Sequence, residues 1–234
     1  MSENTKVEIK HVILPFDFSN SAKNALQHAI SIANKLQADL TILSVMDRYS
    51  SQYLQYNGNR FVEFEAVAKE KLNELAKEVV TLGKTECVIY EASWSRAVSD
   101  LVKKTEGSLV VLGDGDKSRD GYFNGFHSHR IVDSLHIPVL VVKETQQVTD
   151  YKMIITPLDR TRQTREKLSV VTIVGRAFEA KVLIVGLLQN SKTESTAHLS
   201  SIMHQASKYI RVKVRQHETK IIPIKSLVRV CSKS

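Results

Sequence analysis

A chain of 234 residues, 42% hydrophobic and 25% charged, has the composition of a globular protein with one large or two small domains, which excludes a disordered or fibrous polypeptide. Its formal charge of +8 is unevenly placed: residues 151–234 hold 16 Lys+Arg against 5 Asp+Glu, or +11, leaving 17 against 20, or −3, for residues 1–150. Cys87 and Cys231 show no CxxC or Cys/His spacing, and no apolar run approaches the roughly 18 residues of a membrane span, so a reducing, cytoplasmic setting with no membrane and no zinc site is expected.

Residues 10–16 carry the apolar run Val12, Ile13, Leu14 and stop at Pro15-Phe16-Asp17, a strand ending at a carboxylate. Ser19 or Ser21 then offers a helix cap, and Ala22, Ala25, Leu26, Ala29, Ile30, Ala33 and Leu36 recur at helical spacing. Residues 40–45 read as the next strand. A polar stretch from Asp47 to Arg60 carries Tyr49, Tyr53 and Tyr56. Phe61, Phe64, Ala68, Leu72, Leu75, Val79 and Leu82 mark a long helix that Gly83 is expected to stop. Residues 87–90 form a third strand, and Ser93 opens a helix with Trp94, Ala97, Val98, Leu101 and Val102 on one face.

The stretch from Ser108 to Val142 contains an apolar strand, a glycine-punctuated loop over 113–125, a short helix with Ile131, Val132 and Leu135, and the apolar strand 138–142. Strands that are apolar without alternation are covered on both faces, as in parallel sheets. Five strands alternating with four helices predict an α/β, doubly wound, open parallel five-stranded sheet of Rossmann-like type over 1–145.

Residues 151–234 begin as a second copy. A constant shift of 142 lays Ile13-Leu14-Pro15-Phe16-Asp17 on Ile155-Thr156-Pro157-Leu158-Asp159, Leu26 on Leu168, Ala38 on Ala180 and Ile42 on Ile184. Six identities within an intact strand–helix–strand pattern indicate an internal repeat. The copy continues through a helix near 197–209 and an apolar run at 221–224, with no counterpart of 113–142. It is expected to be an incomplete second repeat.

The strand Ile13-Leu14-Pro15-Phe16-Asp17-Phe18-Ser19, the alanine-rich helix, the glycine loop and Ile137-Pro138-Val139-Leu140-Val141-Val142 together resemble the universal stress protein family, and the tandem arrangement is similar to its two-domain members. The resemblance implies a protein of the stress response that acts by binding and association. It also implies an adenine nucleotide (ATP, ADP or AMP, with Mg²⁺ for ATP) as ligand and a homodimer paired through the strand 138–142, a place that the second repeat often takes in tandem members. Carried over residue by residue, it implies Asp17 for the adenine and Val45 beside base and ribose. For the phosphates it implies Gly113, Gly115 and Gly125 with the following Phe126, His127 and Ser128. Nine residues separate Gly115 from Gly125, as in the family loop, but the first spacing is G-x-G, one residue short, and Phe126 stands where Ser or Thr is the rule. Asp114 and Asp116 add negative charge beside the phosphate path.

Each of these residues also has a plain reading. Asp17 can serve only as a turn-former and Gly113 and Gly115 only as residues of positive φ. His127 and His129, two apart, do not make a metal pair on a helix, so no metal ligand is named. No Ser/His/Asp set, paired carboxylates or GxxxxGK[ST] loop appears, so no catalytic residue is named either. Two rival functions stay open: a slow ATPase with Asp114 or Asp116 on Mg²⁺, and a nucleotide-free dimerising module that meets an unknown protein partner through its basic half. The basic tail, eight Lys+Arg against Glu218 over 208–233, lacks interleaved aromatics and reads as a solvated face rather than a nucleic-acid surface.

Overall fold

Val12, Ile13 and Leu14 are wholly buried in β1 (His11–Pro15) because β1 has a parallel neighbour on each side. The computed structural model describes residues 8–45, 60–106, 108–114, 128–147, 149–159, 161, 167–188 and 193–223. They fall into two compact units, Glu8–Thr149 and one that takes in Asp150–Ser234.

The first unit is a five-stranded sheet in the order β3-β2-β1-β4-β5, every pairing parallel. Its other strands are β2 (Asp39–Val45), β3 (Thr85–Tyr90), β4 (Ser108–Asp114) and β5 (Val139–Lys143), and its helices are α1 (Asn20–Leu36), α2 (Arg60–Glu78), α3 (Trp94–Lys104) and α4 (Ser128–Ser134). Ile13, Leu43, Val45, Val110 and Leu112 pack against Trp94, Ala97, Val98 and Leu101 of α3 and Ile131 of α4. On α1, Ala22, Ala25, Ala29 and Ala33 are buried, and side chains this small let the helix lie close over β1, β4 and β5. Ser19 is the N-cap of α1 and accepts from the Ala22 N–H at 3.1 Å, which decides between the two serines.

Two sequence expectations shift here. The second helix stops at Glu78 although its apolar stripe continues; Val79 turns inward while Val80 and Leu82 are 78% and 75% exposed. Gly83 does not cap that helix. A Cβ there would stand 2.5 Å from the Ala38 carbonyl oxygen, so the glycine serves a close approach of two backbones. Ser93 occupies the N-cap position of α3 with extended backbone, yet its side chain makes no cap bond.

The second unit has three parallel strands, β6 (Met153–Leu158), β7 (Lys181–Leu188) and β8 (His217–Pro223), in the order β6-β7-β8. Helices α5 (Leu168–Ala177) and α6 (Thr193–Arg211) cover one face, where Leu168, Leu199, Met203, Ala206 and Ile210 meet Leu158, Val182 and Ile184.

The repeat holds down to single hydrogen bonds. His11↔Asp39 becomes Met153↔Lys181 in register, and the Asp39 N–H to Lys10 bond becomes Lys181 N–H to Lys152. The left-handed residue that ends α1, Gln37 at φ 54°, recurs as Glu179 at φ 52°, and the bond from Ala38 N–H to Ala33 O recurs as Ala180 to Gly175.

Candidate functional site

The first sheet divides at its carboxyl end. β1 stays with β2 through Pro15↔Leu43 and a 2.8 Å bond from Phe16 N–H to the Leu43 carbonyl. Its pairing with β4 ends at Ile13↔Val110, while β4 runs on beside β5 to Asp114↔Lys143. The chain leaves β1 toward β2 on one side and reaches β4 on the other, so the crevice lies at the point where strand order reverses, the usual ligand position in an open α/β sheet.

Asp17 sits two residues past β1 and is 8% exposed. Its Oδ1 accepts from the Ser19 N–H at 3.0 Å and from the Ser19 hydroxyl, and no bond to Oδ2 is recorded from any described residue. Ser19 Oγ also lies 3.0 Å from Ser21 Oγ. Between Asp17 and Ser19, Phe18 takes φ 64°, a region costly for an aromatic side chain, and its ring stands edge-on to buried Phe16 at 5.0 Å. One carboxylate oxygen is thus fixed by the turn, in a residue that is nearly buried as a whole.

Gly113, in β4, faces the first turn of α1. A Cβ there would lie 2.5 Å from the carbonyl carbon and oxygen of Ser21 and 2.8 Å from the Ala22 nitrogen. Its φ lies outside the left-handed range, so the reading of a positive-φ turn gives way to a steric one. Asp114 follows, exposed, with its carbonyl accepting from Glu144 N–H at 3.3 Å. Val45 ends β2 fully buried, its side chain in the core under α3, so only its backbone can face the crevice.

Asp17, Val45 and Gly113 therefore stand at one end of one sheet. Gly115, Gly125, Phe126 and His127, together with Asp116, Lys117, Arg119 and the three tyrosines of 49–56, lie outside the described residues. Ser128 is the first residue of α4. Among the described residues there is no group of three or more His, Cys, Asp or Glu able to hold a metal ion, and no helix long and apolar enough to cross a membrane.

The second unit repeats the turn without the crevice. Asp159 Oδ1 accepts from Thr161 N–H at 2.7 Å and from its hydroxyl at 2.6 Å, as Asp17 does from Ser19. Among the described residues β6 has β7 on one side and no counterpart of β4 on the other.

Sequence reading missed a second polar set on the first unit, the α1 stripe Asn24, His28 and Ser31, which bonds backbone carbonyls at the end of β5 and just beyond it. One signal was available: a shift of 142 puts Glu166, Val170 and Ile173 at these positions, so the stripe is absent from the second copy.

Comparison with known proteins gives a consistent picture. The sequence profile of the universal stress protein family matches residues 8–143. A universal stress protein of Methanocaldococcus jannaschii is 26% identical over 144 residues, 59% of this chain and 84% of that protein. A Staphylococcus aureus protein named for the same family is 28% identical over 167 residues, 69% of this chain and 98% of that one. Among solved structures, a universal stress protein from Archaeoglobus fulgidus has the same fold with a TM-score of 0.65 at 14% identity, over 92% of this chain and 78% of that one. A functionally unknown protein from Pseudomonas aeruginosa gives a TM-score of 0.57 at 14% identity, over 98% of this chain and 80% of that one.

Proposed function

The chain belongs to the universal stress protein family, and from that premise we propose that it is a cytoplasmic stress-response protein that binds an adenine nucleotide in the crevice between β1 and β4 and acts by association rather than turnover. The observation that carries the reading is Asp17, a nearly buried carboxylate with Oδ1 held by Ser19 and Oδ2 directed to no described partner. A carboxylate in a nearly buried residue, one oxygen fixed and the other left to accept, suits a ligand donor, and the exocyclic amine of adenine is one. Gly113 supports the reading because it brings the start of α1 against the end of β4, leaving the loop that follows to meet the phosphates.

Asp114 sets the preference among nucleotides. At an effective dielectric near 20, two unit charges about 5 Å apart repel by roughly 3 kcal/mol, on the order of a hundredfold in affinity. AMP or ADP is therefore favoured over free ATP, and Mg²⁺ carried with ATP, for which Asp114 would be the nearby carboxylate, would supply the positive charge that offsets the difference. Asp114→Asn accordingly tightens ATP without Mg²⁺ and leaves AMP unchanged.

The oligomer proposed is a homodimer formed along β5. This strand closes the first sheet at its edge with Val139, Leu140 and Val141, the last 42% exposed, and an apolar strand edge is costly to leave open.

The test is to denature the purified protein, chromatograph the supernatant for released nucleotide, and titrate the ligand-free protein with AMP, ADP and ATP by calorimetry, with and without Mg²⁺. A purine nucleotide in the supernatant, or binding that Asp17→Ala weakens for all three nucleotides alike, is expected. Absence of both, or tight binding indifferent to Asp17→Ala, removes the nucleotide and leaves a dimerising interaction module.

A further inference from the structure

On α1, Asn24, His28 and Ser31 lie at i, i+4 and i+7, which puts them in one line along the helix. All three side chains reach the backbone at the end of β5 and just beyond it. Asn24 Nδ2 donates to the carbonyls of Lys143 at 2.9 Å, Glu144 at 3.4 Å and Gln146 at 2.6 Å. His28, 0% exposed, meets the same Gln146 carbonyl through Nε2 at 2.9 Å, and Ser31 Oγ donates to the Thr149 carbonyl at 3.0 Å.

The partners of these five bonds are all carbonyl oxygens, which can only accept. The Asn24 nitrogen is therefore fixed toward them, and His28 must carry its proton on Nε2. The side chains of Lys143, Glu144, Thr145, Gln146 and Gln147 are exposed, so no packing of these side chains accounts for the position of this stretch. Its place depends on main-chain oxygens bonded to α1, with Glu144 N–H on the Asp114 carbonyl at 3.3 Å as a further tie.

We infer that Lys143, Glu144, Gln146 and Thr149 form a latch on α1, in which Asn24, His28 and Ser31 hold their carbonyls so that the chain leaves the first unit from a fastened point rather than from a free tether. The second copy supplies an internal control. Its equivalent positions hold Glu166, Val170 and Ile173, and its described residues include no strand corresponding to β5. The polar stripe accompanies the segment it binds. The inference is independent of the nucleotide reading.

The experiment is limited proteolysis of the full chain, with trypsin at Lys143 and Lys152 and chymotrypsin at Tyr151, cut sites being read by mass spectrometry. Asn24→Asp is the sharpest variant. It keeps the shape of the side chain, removes both donors and turns a carboxylate toward three carbonyls, while a negative charge in the early turns of α1 suits the helix dipole. Cutting in the connector is expected to accelerate about tenfold in Asn24→Asp and in His28→Ala. Cutting after exposed Arg96 and Lys103 should keep its parent rate, and His28→Gln, which retains an N–H donor, should recover most of the protection. Connector cutting that stays at the parent rate in both variants, or that rises equally at Arg96 and Lys103, overturns the latch.

Discussion

The two units start from nearly the same instructions and differ in what they can bury. β1 and β6 share a register with the strand that follows, a left-handed residue after the helix, and an Asp whose Oδ1 closes a turn with the hydroxyl residue two positions on. Yet Pro15 is buried and Pro157 exposed, and Val12 to Leu14 are sealed whereas Ile154 and Ile155 are only half-buried. Local backbone geometry is set by local sequence, but burial comes from neighbours. β1 has β4 beside it, and that second neighbour gives the first unit both a sealed strand and a crevice beside which Asp17 stands nearly buried.

Two buried strand glycines, one in each unit, give the largest expected contrast. Gly113→Ala drives a Cβ into the backbone of Ser21 and Ala22, which cannot yield without shifting α1, and should cost about 3 kcal/mol. Gly186→Ala in β7 meets the sulfur of Met203 at 2.2 Å, the flexible part of a side chain that can repack, and should cost about 1 kcal/mol. Denaturant unfolding of both variants measures this, and equal costs would remove the claim that α1 rests on β4 through Gly113.

The paired aspartates come next. Asp17→Ala should weaken adenine nucleotides by about ten- to a hundredfold in calorimetry, the cost of a lost charge-assisted hydrogen bond. Asp159→Ala, in the same turn without the crevice, should leave affinity unchanged. A comparable loss from Asp159→Ala would mean that the second unit binds as well.

The sheet edges sharpen the contrast further. Val141→Lys on β5 should convert a dimer to a monomer by light scattering, because Lys on an edge strand blocks strand pairing. Met153→Lys on β6, also exposed, should leave the mass as it was.

The smallest effect concerns pH. Burial holds the His11 imidazole below its ordinary value of 6.5, against the pull of Asp39 and Glu86. The unfolded chain therefore takes up this proton first as pH falls, and stability declines once pH drops below about 6.5. In the second unit the Lys181 bond, with Lys220, holds the Glu218 carboxyl below its ordinary 4.5, so the stability it lends is present above that pH and lost only below it. Between pH 7.5 and 5.5 the parent should lose about 1–2 °C more in Tm than His11→Gln, and Glu218→Gln should match the parent.

Sequence alone revealed the five strands, the four helices between them and the repeat, because apolar runs of four or five residues in a doubly covered sheet leave a dense local signal. It misjudged features whose cause lies elsewhere in the chain. Nothing near Gly83 announces the Ala38 carbonyl, and nothing near Gly113 announces Ser21. Leu82 extends the stripe of α2 in sequence but is exposed past the helix end. Asn24, His28 and Ser31 look like the wet side of an amphipathic helix until their partners, 118 to 122 residues away, are known. Of the candidate site, the Asp17 turn was legible as a motif; its burial was not, since that depends on the company β1 keeps.

Phe18 carries a consequence for the kinetics of recognition. A ring braced on Phe16 holds the Asp17–Ser19 turn in a left-handed shape costing on the order of 1 kcal/mol, a cost met once, during folding. On the proposed reading, a nucleotide arriving there finds Asp17 already held by the Ser19 turn. Its capture should follow a single fast bimolecular phase, with discrimination among ligands residing in how long each one stays.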